Sequence, residues 1–363
     1  MPRENRLMER IRPMDLETLA WLRFKLNPDA EMPAVTDWPA LIAFAEKQAL
    51  TGVCLPDERP ENLNQMLALQ WIGQVQLIEQ RNKLLNTRIG QLFGLLEEAG
   101  FDCCLLKGQG NAEMYPNPLM RCSGDIDVWI DAEVDSVYQY VRQLCPDAEE
   151  SFKHIHFPIF KDAPVDAHAT PLRFYSRHFR KRLNRWIEMN KAEQFAHKIT
   201  LKGCEREVNV PTGKFNTIYQ MGHMMIHTFD EGLGLRQVVD YFYVLKGLEG
   251  TEHERIELAS DLRVLGMYKF ARGIMWIESH VLGLPVERCL VEPDEKLGKR
   301  LLEDILEGGN FGHHSERYSG IKNFYYRGVV EAFRDMKWFF IAPREVTARL
   351  VNKMGTAWRH ILK

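Results

Sequence analysis

Apolar residues recur at helical spacing through two long parts of the chain, and the segment between them has a different pattern. Over residues 63–99 the apolar positions repeat every three or four residues, and Gly100 follows as a natural helix end. Helical spacing returns at about residue 212. The intervening segment carries short apolar runs separated by glycine and proline, which is typical of short strands. These patterns predict an α+β fold, with a small mixed sheet flanked by helical regions.

The changes of pattern also predict three domains. These are a helical N-terminal region (1–100), an α/β core (101–211) and a helical C-terminal domain (212–363). Within the core we predict strands at 101–106 and 125–130, a crossover helix over 134–144, and a hairpin built from 154–160 and 165–168. A basic helix follows at about 173–190, and a second hairpin is predicted before residue 211.

The bulk composition argues against several classes of protein, although a local basic patch could still serve a polynucleotide substrate. The 363 residues carry a formal net charge of -3, so no global field draws the chain to nucleic acid or to an anionic membrane. The 7 cysteines form no C-x-x-C pair, which argues against a zinc knuckle and favours reduced thiols. The charged N-terminus does not resemble a signal peptide, and no window approaches the length of a membrane span. We therefore expect a cytoplasmic protein with no membrane span.

Two aspartates stand two residues apart in the predicted strand at 125–130. Side chains two apart in a strand point to the same face, so Asp125 and Asp127 are predicted to lie side by side, with Ile126 and Val128 turned into the core. Neighbouring carboxylates repel each other unless a cation lies between them. Mg²⁺, which binds a few carboxylates together with water and phosphate oxygens, would remove that repulsion. By itself this D-x-D pattern is a weak signal, because surface strands and turns often produce it.

A third aspartate strengthens the prediction of a metal site. Asp166 lies in the short apolar run VDAH (165–168), which is the next strand predicted after the first hairpin turn. If that strand neighbours the first, Asp166 can join Asp125 and Asp127, and three such carboxylates can hold two metal ions about 3.5–4 Å apart. Asp166 also suits the role of general base for an attacking hydroxyl. Its alternative role is that of a solvent-facing strand residue.

Several segments together resemble a known family. They are LKGQGNAEMYPNPLMRCSGDIDVWI (106–130), VDAH (165–168), HMMIH (223–227), GLGLR (232–236) with Asp240, and GGNFG (308–312). This set resembles the bacterial uncharacterised nucleotidyltransferases, which belong to the DNA-polymerase-β-like superfamily. The resemblance extends over about residues 35–320. The set is specific, although no single segment of it is.

The resemblance implies a Mg²⁺-dependent enzyme that transfers a nucleoside monophosphate from a nucleoside triphosphate such as ATP to a hydroxyl acceptor, with release of pyrophosphate. The acceptor could be a small molecule, a protein, a peptide or an RNA. The metal ligands and catalytic residues would be Asp125, Asp127 and Asp166. The residues expected around the nucleotide are Lys107, Gly108, Arg121, Gly124, His168 and Arg236.

The phosphate-binding residues leave alternatives open. The superfamily has a Gly-Ser turn near the triphosphate, whereas here the corresponding turn is Lys107-Gly108, where Lys107 would supply a positive charge instead. Arg121 could contact phosphate or form a structural ion pair. Arg236 could serve the substrate or pair with Asp240 four residues later.

Two other functions remain open from the sequence. The missing serine is compatible with a regulatory protein that binds nucleotide without turnover. His223 and His227 have the i, i+4 spacing of a zinc pair, which would indicate a zinc hydrolase, but no glutamate follows His223 as in H-E-x-x-H. On the predicted hairpin, His154, His156 and His168 could cluster, and His168 could orient Asp166 or contact substrate.

Overall fold

The described part of the chain begins with four helices. The structure is a computed structural model that describes residues 13–151, 153–310 and 335–361. Helices α1 (Pro13–Leu26), α2 (Trp38–Lys47) and α3 (Thr51–Cys54) precede the long helix α4 (Gln65–Glu98). Asn64 caps α4, because its side-chain oxygen accepts hydrogen bonds from the backbone N–H groups of Met66 and Leu67. The helical spacing thus corresponds to one continuous helix.

A four-stranded mixed sheet follows α4. Its strands are β1 (Cys103–Leu106), β2 (Ile126–Ile130), β3 (Ile155–His156) and β4 (Val165–His168), in the order β1-β2-β4-β3. The central strands β2 and β4 are parallel, and both outer strands pair antiparallel with their neighbours. Helix α5 (Gly108–Ala112) lies between β1 and β2, and α6 (Val134–Leu144) is the crossover helix at the predicted residues.

A basic helix and a second, smaller sheet complete the core segment. Helix α7 (Arg177–Gln194) begins four residues later than the basic helix that the sequence predicts. Strands β5 (Lys198–Thr200) and β6 (Glu207–Asn209) form an antiparallel pair, which confirms the second hairpin. The first hairpin is also confirmed, although β3 contains only two residues because the chain turns away after His156.

The C-terminal part of the described chain is helical. Its helices are α8 (Gly213–Asp230), α9 (Leu235–Gly247), α10 (Glu252–Val264), α11 (Tyr268–Trp276), α12 (Glu295–Gly308) and α13 (Pro343–Ile361). A π-helical turn, Ile277–Val281, extends α11. None of the helices in the described ranges is long and apolar enough to cross a membrane. Of the GGNFG segment, Phe311 and Gly312 lie outside the described residues.

The sheet separates two hydrophobic cores. One face packs on the second half of α4 and on α6, where Leu85 and Ile89 meet Ile126 and Val128 of β2. The other face joins a larger core that the N-terminal and C-terminal helices share. The alternation of charged and apolar residues in 125–130 predicts a polar face for β2, and this is only partly correct: Trp129, on the same face as Asp127, is buried against Phe195 and Phe215. The predicted domain boundaries at 100 and 211 stay predictions.

Candidate active site

The pairing of β2 with β4 brings the three predicted aspartates together. Asp127 and Asp166 are register partners on these parallel strands, and Asp125 lies in the turn that leads into β2. One carboxylate oxygen from each of the three lies within 4.8 Å of the others. Asp127 and Asp166 are only 6% and 8% exposed, whereas Asp125 is exposed to solvent. The fold thus gathers two buried carboxylates and one accessible carboxylate at one point.

Both oxygens of Asp127 have partners. Lys107 Nζ lies 2.9 Å from Asp127 Oδ2, and His168 Nε2 lies 2.9 Å from Asp127 Oδ1. Burial disfavours the ionised carboxylate, but the charge of Lys107 and the hydrogen bond to His168 outweigh that effect and hold the pKa of Asp127 well below its usual range. Asp127 is therefore a fixed negative charge in the wall of the site.

Lys107 reaches Asp127 from a strained turn. Its φ of 53° places a residue with a Cβ in the left-handed region, and Gly108 follows with a φ of 43°. Such backbone persists only where the surroundings hold it, and it occurs often at ligand sites. Lys107 Nζ also lies 3.3 Å from His223 Nε2 on α8. Burial, followed by the charge of Lys107, lowers the pKa of His223 well below the ordinary value.

Asp166 has a different environment from Asp127. Its Oδ1 lies 2.6 Å from His156 Nδ1, and its Oδ2 lies 3.4 Å from His154 Nε2. Burial and then the charges of Asp127 and Asp125 raise the pKa of Asp166. Two neighbouring carboxylates thus have pKa values shifted in opposite directions, an arrangement that occurs often in catalytic sites.

The carboxylates face a cavity of about 550 Å³. Its walls come from the sheet, from the loop before β3, from the segment after β4 and from α8. Besides the three aspartates, its lining includes Lys107, Lys153, His154, His156, His168, Arg173, Tyr219, His223 and His227. The cavity is large enough for a small ligand, and cationic and imidazole groups surround its carboxylates.

The two predicted arginines are buried beside the carboxylates. Arg121 is buried and forms a two-pronged ion pair with Asp240 of α9, with both N···O distances at 2.7 Å. Tyr115 Oη donates a third hydrogen bond to Asp240 at 2.6 Å. Arg236 donates from Nη1 to the backbone oxygen of Cys122 at 2.8 Å. This geometry favours the structural interpretation of Arg121, and both carboxylate oxygens of Asp240, the residue suggested as a partner of Arg236, accept from Arg121.

The remaining predicted residues line a smaller cavity beside these groups. Gly108, Gly124, Arg121 and Arg236 surround a space of about 40 Å³ that also borders Asp125 and Asp127. His168, by contrast, contacts Asp127 rather than Asp166, the residue that the sequence suggested it would orient. The fold thus places all nine predicted site residues around two adjoining cavities, and their roles in binding remain predictions.

The geometry gives little support to the zinc hydrolase interpretation. The rings of His223 and His227 are 4.2 Å apart, but His223 contacts Lys107, and His227 Nδ1 lies 3.4 Å from Glu231. Within residues 13–151, 153–310 and 335–361, neither histidine belongs to a group of three or more side chains that could hold a metal ion.

Sequence reasoning missed several residues of the larger cavity. Lys153 and Tyr219 line it without any motif that indicates this, because the loop before β3 and helix α8 meet only in the folded chain. Ser123 is outside the lining of both cavities, but its hydroxyl contacts Gln109 of the turn that lacks the superfamily serine and accepts a hydrogen bond from Arg121.

The donor set of the aspartate cluster suits a hard cation. Three carboxylates that converge from neighbouring backbone segments supply oxygen ligands, which Mg²⁺ prefers, and the exposed Asp125 leaves room for water and phosphate oxygens. A nearby cation would also stabilise the carboxylates of Asp127 and Asp166, since burial and the charges of Asp127 and Asp125 raise the pKa of Asp166.

Comparisons with known proteins give a matching family and a similar solved structure. No curated protein sequence matches the chain. One solved structure, an antigenic nucleotidyltransferase-like protein from Paracoccidioides brasiliensis, is similar at 10% identity with a TM-score of 0.32, over 51% of this chain and 87% of that chain. The profile of the uncharacterised nucleotidyltransferase family matches residues 34–283, which include the three aspartates and both cavities. The chain therefore belongs to the uncharacterised nucleotidyltransferase family.

Proposed function

We propose that the chain is a Mg²⁺-dependent enzyme that transfers a nucleoside monophosphate from a nucleoside triphosphate to a hydroxyl acceptor. The observation that carries this proposal is the convergence of Asp125, Asp127 and Asp166 at the edge of a cavity in a member of a nucleotidyltransferase family. These three residues would hold the metal. Bound Mg²⁺ neutralises phosphate charge and lowers the barrier for attack by a hydroxyl.

The protein side chains support the remaining parts of the reaction. The acceptor oxygen attacks the α-phosphorus, the bond from that phosphorus to the bridging oxygen breaks, and pyrophosphate leaves. The hydroxyl proton passes to the Asp166 carboxylate, whose raised pKa favours taking up a proton. Asp127 keeps its charge because Lys107 and His168 stabilise the carboxylate.

Lys107 is the residue that we assign to the triphosphate. Lys107 lines both cavities and its side chain is 19% exposed, so its ammonium group can reach a phosphate oxygen from its position beside Asp127. Gly108 follows, and a Cβ there would lie 3.7 Å from the backbone oxygen of Asp125, so the turn runs close to the metal ligands. Lys107 would thus supply the charge that this family member needs in place of the Gly-Ser turn.

The acceptor class stays open between a small molecule, a protein, a peptide and an RNA. All of the 7 cysteines are free thiols, which is compatible with a reducing compartment, and we include a cytoplasmic location in the proposal. The second candidate is a regulatory protein that binds Mg²⁺ and nucleotide without turnover. It is favoured by the ion pair between Lys107 and Asp127, because the ammonium group expected at the phosphates is bound to a carboxylate.

The test is isothermal titration of each nucleoside triphosphate with and without Mg²⁺. We expect Mg²⁺-dependent binding by the wild-type chain and a loss of at least about tenfold in affinity for Asp125→Asn and for Asp125→Ala/Asp127→Ala. Asp131→Ala is the matched control, because Asp131 follows β2 at the far end and pairs with Lys191. Nucleotide binding without pyrophosphate release over a broad acceptor panel would favour the regulatory candidate. No binding to any nucleotide would contradict both.

A further inference from the structure

The hairpin of β3 and β4 gathers two histidines and an aspartate around a second point. His156 is the register partner of Asp166, and His154 precedes it by two residues on the same side of the chain. One ligand atom from each of His154, His156 and Asp166 lies within 4.8 Å of the others. This His-His-Asp cluster (His154, His156 and Asp166) shares only Asp166 with the aspartate cluster.

The separations are close to those of a metal site. His156 Nδ1 is 2.6 Å from Asp166 Oδ1, and His154 Nε2 is 3.4 Å from Asp166 Oδ2. Ligands bound tetrahedrally to Zn²⁺ at about 2.0–2.1 Å are roughly 3.3 Å apart. Small rotations of the side chains would therefore suffice to bring the three ligand atoms around one ion, with no change in strand register.

Local structure holds the two rings in place. Ser151 Oγ accepts a hydrogen bond from the backbone N–H of His154 at 3.1 Å, and the backbone N–H of Ser151 donates to the His154 oxygen at 2.9 Å. The ring of His154 packs edge-on against those of His156 at 4.7 Å and His168 at 5.2 Å. Ligands that are already oriented lose less entropy when an ion binds.

The cluster is also open to solvent on one side. The side chain of His156 is 51% exposed, whereas those of His154 and Asp166 are 19% and 12% exposed. All three line the larger cavity. An ion at this point would therefore have a route of entry and a free coordination position for water or a ligand.

We propose that His154, His156 and Asp166 bind a divalent transition metal, with Zn²⁺ as the best fit, at a site distinct from that of Mg²⁺. Imidazole nitrogen suits Zn²⁺, whereas Mg²⁺ prefers oxygen ligands. Because Asp166 belongs to both clusters, its carboxylate links the two sites, and an ion on the histidines changes what Asp166 can offer to Mg²⁺. The proposal does not depend on nucleotidyl transfer.

The experiment is isothermal titration of Zn²⁺ into the full-length protein, in a large excess of Mg²⁺. We expect one equivalent to bind, with at least about tenfold weaker binding for His154→Ala and for His156→Ala. Asp125→Asn should retain the Zn²⁺ site because Asp125 lies outside the His-His-Asp cluster. His253→Ala is the matched control, since His253 is exposed on α10 and pairs with Glu257.

A second measurement identifies the ligands. Co²⁺ should bind the wild-type protein without thiolate-to-metal charge-transfer bands, and each histidine variant should lose the visible spectrum of the bound ion. Thermal unfolding of the variants without metal checks that they fold, which the exposure of His156 favours. The proposal is overturned if no Zn²⁺ binds, if thiolate bands appear, or if binding is lost in His227→Ala but kept in both hairpin variants. Mg²⁺-dependent nucleotide binding is measured separately, so its failure is distinguishable.

Discussion

At the scale of single residues, the ion pair of Asp127 with Lys107 compensates a buried charge in the site. A buried carboxylate is costly unless partners compensate its charge, and Asp127 has Lys107 on one oxygen and His168 on the other. The same lysine is the residue that we assign to the triphosphate. Its present contact with Asp127 therefore contributes to the stability of the nucleotide-free protein as well as to the proposed chemistry.

Replacement of Lys107 by methionine tests both roles. We expect Lys107→Met to lower the free energy of unfolding at neutral pH by roughly 1–3 kcal/mol, because Asp127 loses one of its two charge-stabilising partners. The double variant Lys107→Met/Asp127→Asn should recover part of this loss. In it, residue 127 is neutral, so no buried carboxylate is left without its cationic partner. Urea unfolding of the four proteins in this cycle measures the coupling. Equal stability of wild type and Lys107→Met would contradict the role of the ion pair.

Asp166, in contrast, is predicted to lower the stability of the folded protein at neutral pH. Its pKa is raised in the folded protein by burial and by Asp127 and Asp125. The folded state therefore binds the Asp166 proton more tightly than the unfolded state, and stability falls as pH rises through the folded pKa. We expect Asp166→Asn to unfold at a higher temperature than wild type at neutral pH, with the difference shrinking below about pH 3, where the carboxyl is protonated in both states.

Thermal unfolding across this pH range, without divalent metal, is the measurement. The variant should at the same time lose Mg²⁺-dependent nucleotide binding. A functional site often retains groups that reduce stability, and this pair of results would be the signature of one. A variant that is less stable than wild type at neutral pH would show that the histidine contacts of Asp166 outweigh the repulsion.

Spacing, the predicted strands and the family resemblance together indicated the three aspartates, but none of them indicated the partner of Arg121. The D-x-D pattern and the VDAH run are local, and the parallel pairing of β2 and β4 brings them together as expected. The ion pair of Arg121 with Asp240 joins residues 119 positions apart. No periodicity in the sequence specifies such a contact, because it depends on how α9 packs against the turn before β2.

At the scale of elements, the basic helix α7 is held by a residue from α13. Glu345 is buried, and its carboxylate accepts hydrogen bonds from the backbone N–H groups of Tyr175 and Ser176, just before α7 begins. Carboxylates are favourable near a helix N-terminus. Burial nevertheless raises the pKa of Glu345 to about 7, with the charge of Asp230 acting in the same direction.

The junction of α13 with α7 should therefore respond to pH. Because the folded pKa of Glu345 lies above its unfolded value, its contribution to stability is fully present below the unfolded pKa and is lost as pH rises through about 7. We expect Glu345→Gln to reduce the fall in stability between about pH 6 and pH 8, because glutamine does not ionise. Urea unfolding at the two pH values measures this. An unchanged pH dependence in the variant would assign it to other groups.

Helices with apolar residues at regular helical spacing were predicted well. The burial of individual strand side chains was not. The crossover helix has the predicted bounds, and α4 fills its predicted stretch. In contrast, the polar face expected for β2 ends at Asp127, because Trp129 packs between Phe195 and Phe215 at ring distances of 4.7 and 5.8 Å. Alternation of charged and apolar residues could not reveal that a tryptophan fills the next position on that face.

At the scale of the whole molecule, α4 connects the two hydrophobic cores. Trp71 and Val75 in its first half belong to the core that the N-terminal and C-terminal helices share, and Leu85 and Ile89 in its second half pack against the sheet. The sequence indicated separate helical regions at either end of the chain. Their common core was not predictable, since helical periodicity shows which face is buried but not which element covers it.

The N-terminal helices also support the turn that leads to the site. Asn82 of α4 donates hydrogen bonds from its amide to the backbone oxygens of Leu119 and Arg121, at 2.6 and 2.8 Å. Gly52 of α3 packs so closely on this turn that an added Cβ would lie 2.1 Å from the backbone oxygen of Met120. The position of Arg121, and with it the smaller cavity, thus depends on helices far away in sequence.

This dependence gives a prediction with a matched control. Gly52→Ala should lower the free energy of unfolding by roughly 1–3 kcal/mol, because the Met120 backbone must move to admit the methyl group. Gly73→Ala on α4 meets nothing within 4 Å and should instead raise stability by about 0.5–1 kcal/mol, since alanine loses less entropy in a helix. Urea unfolding compares the two. If the turn also positions the site, nucleotide affinity falls in Gly52→Ala and not in Gly73→Ala. Unchanged affinity in a destabilised Gly52→Ala would show that the N-terminal helices stabilise the fold without setting the geometry of the cavity.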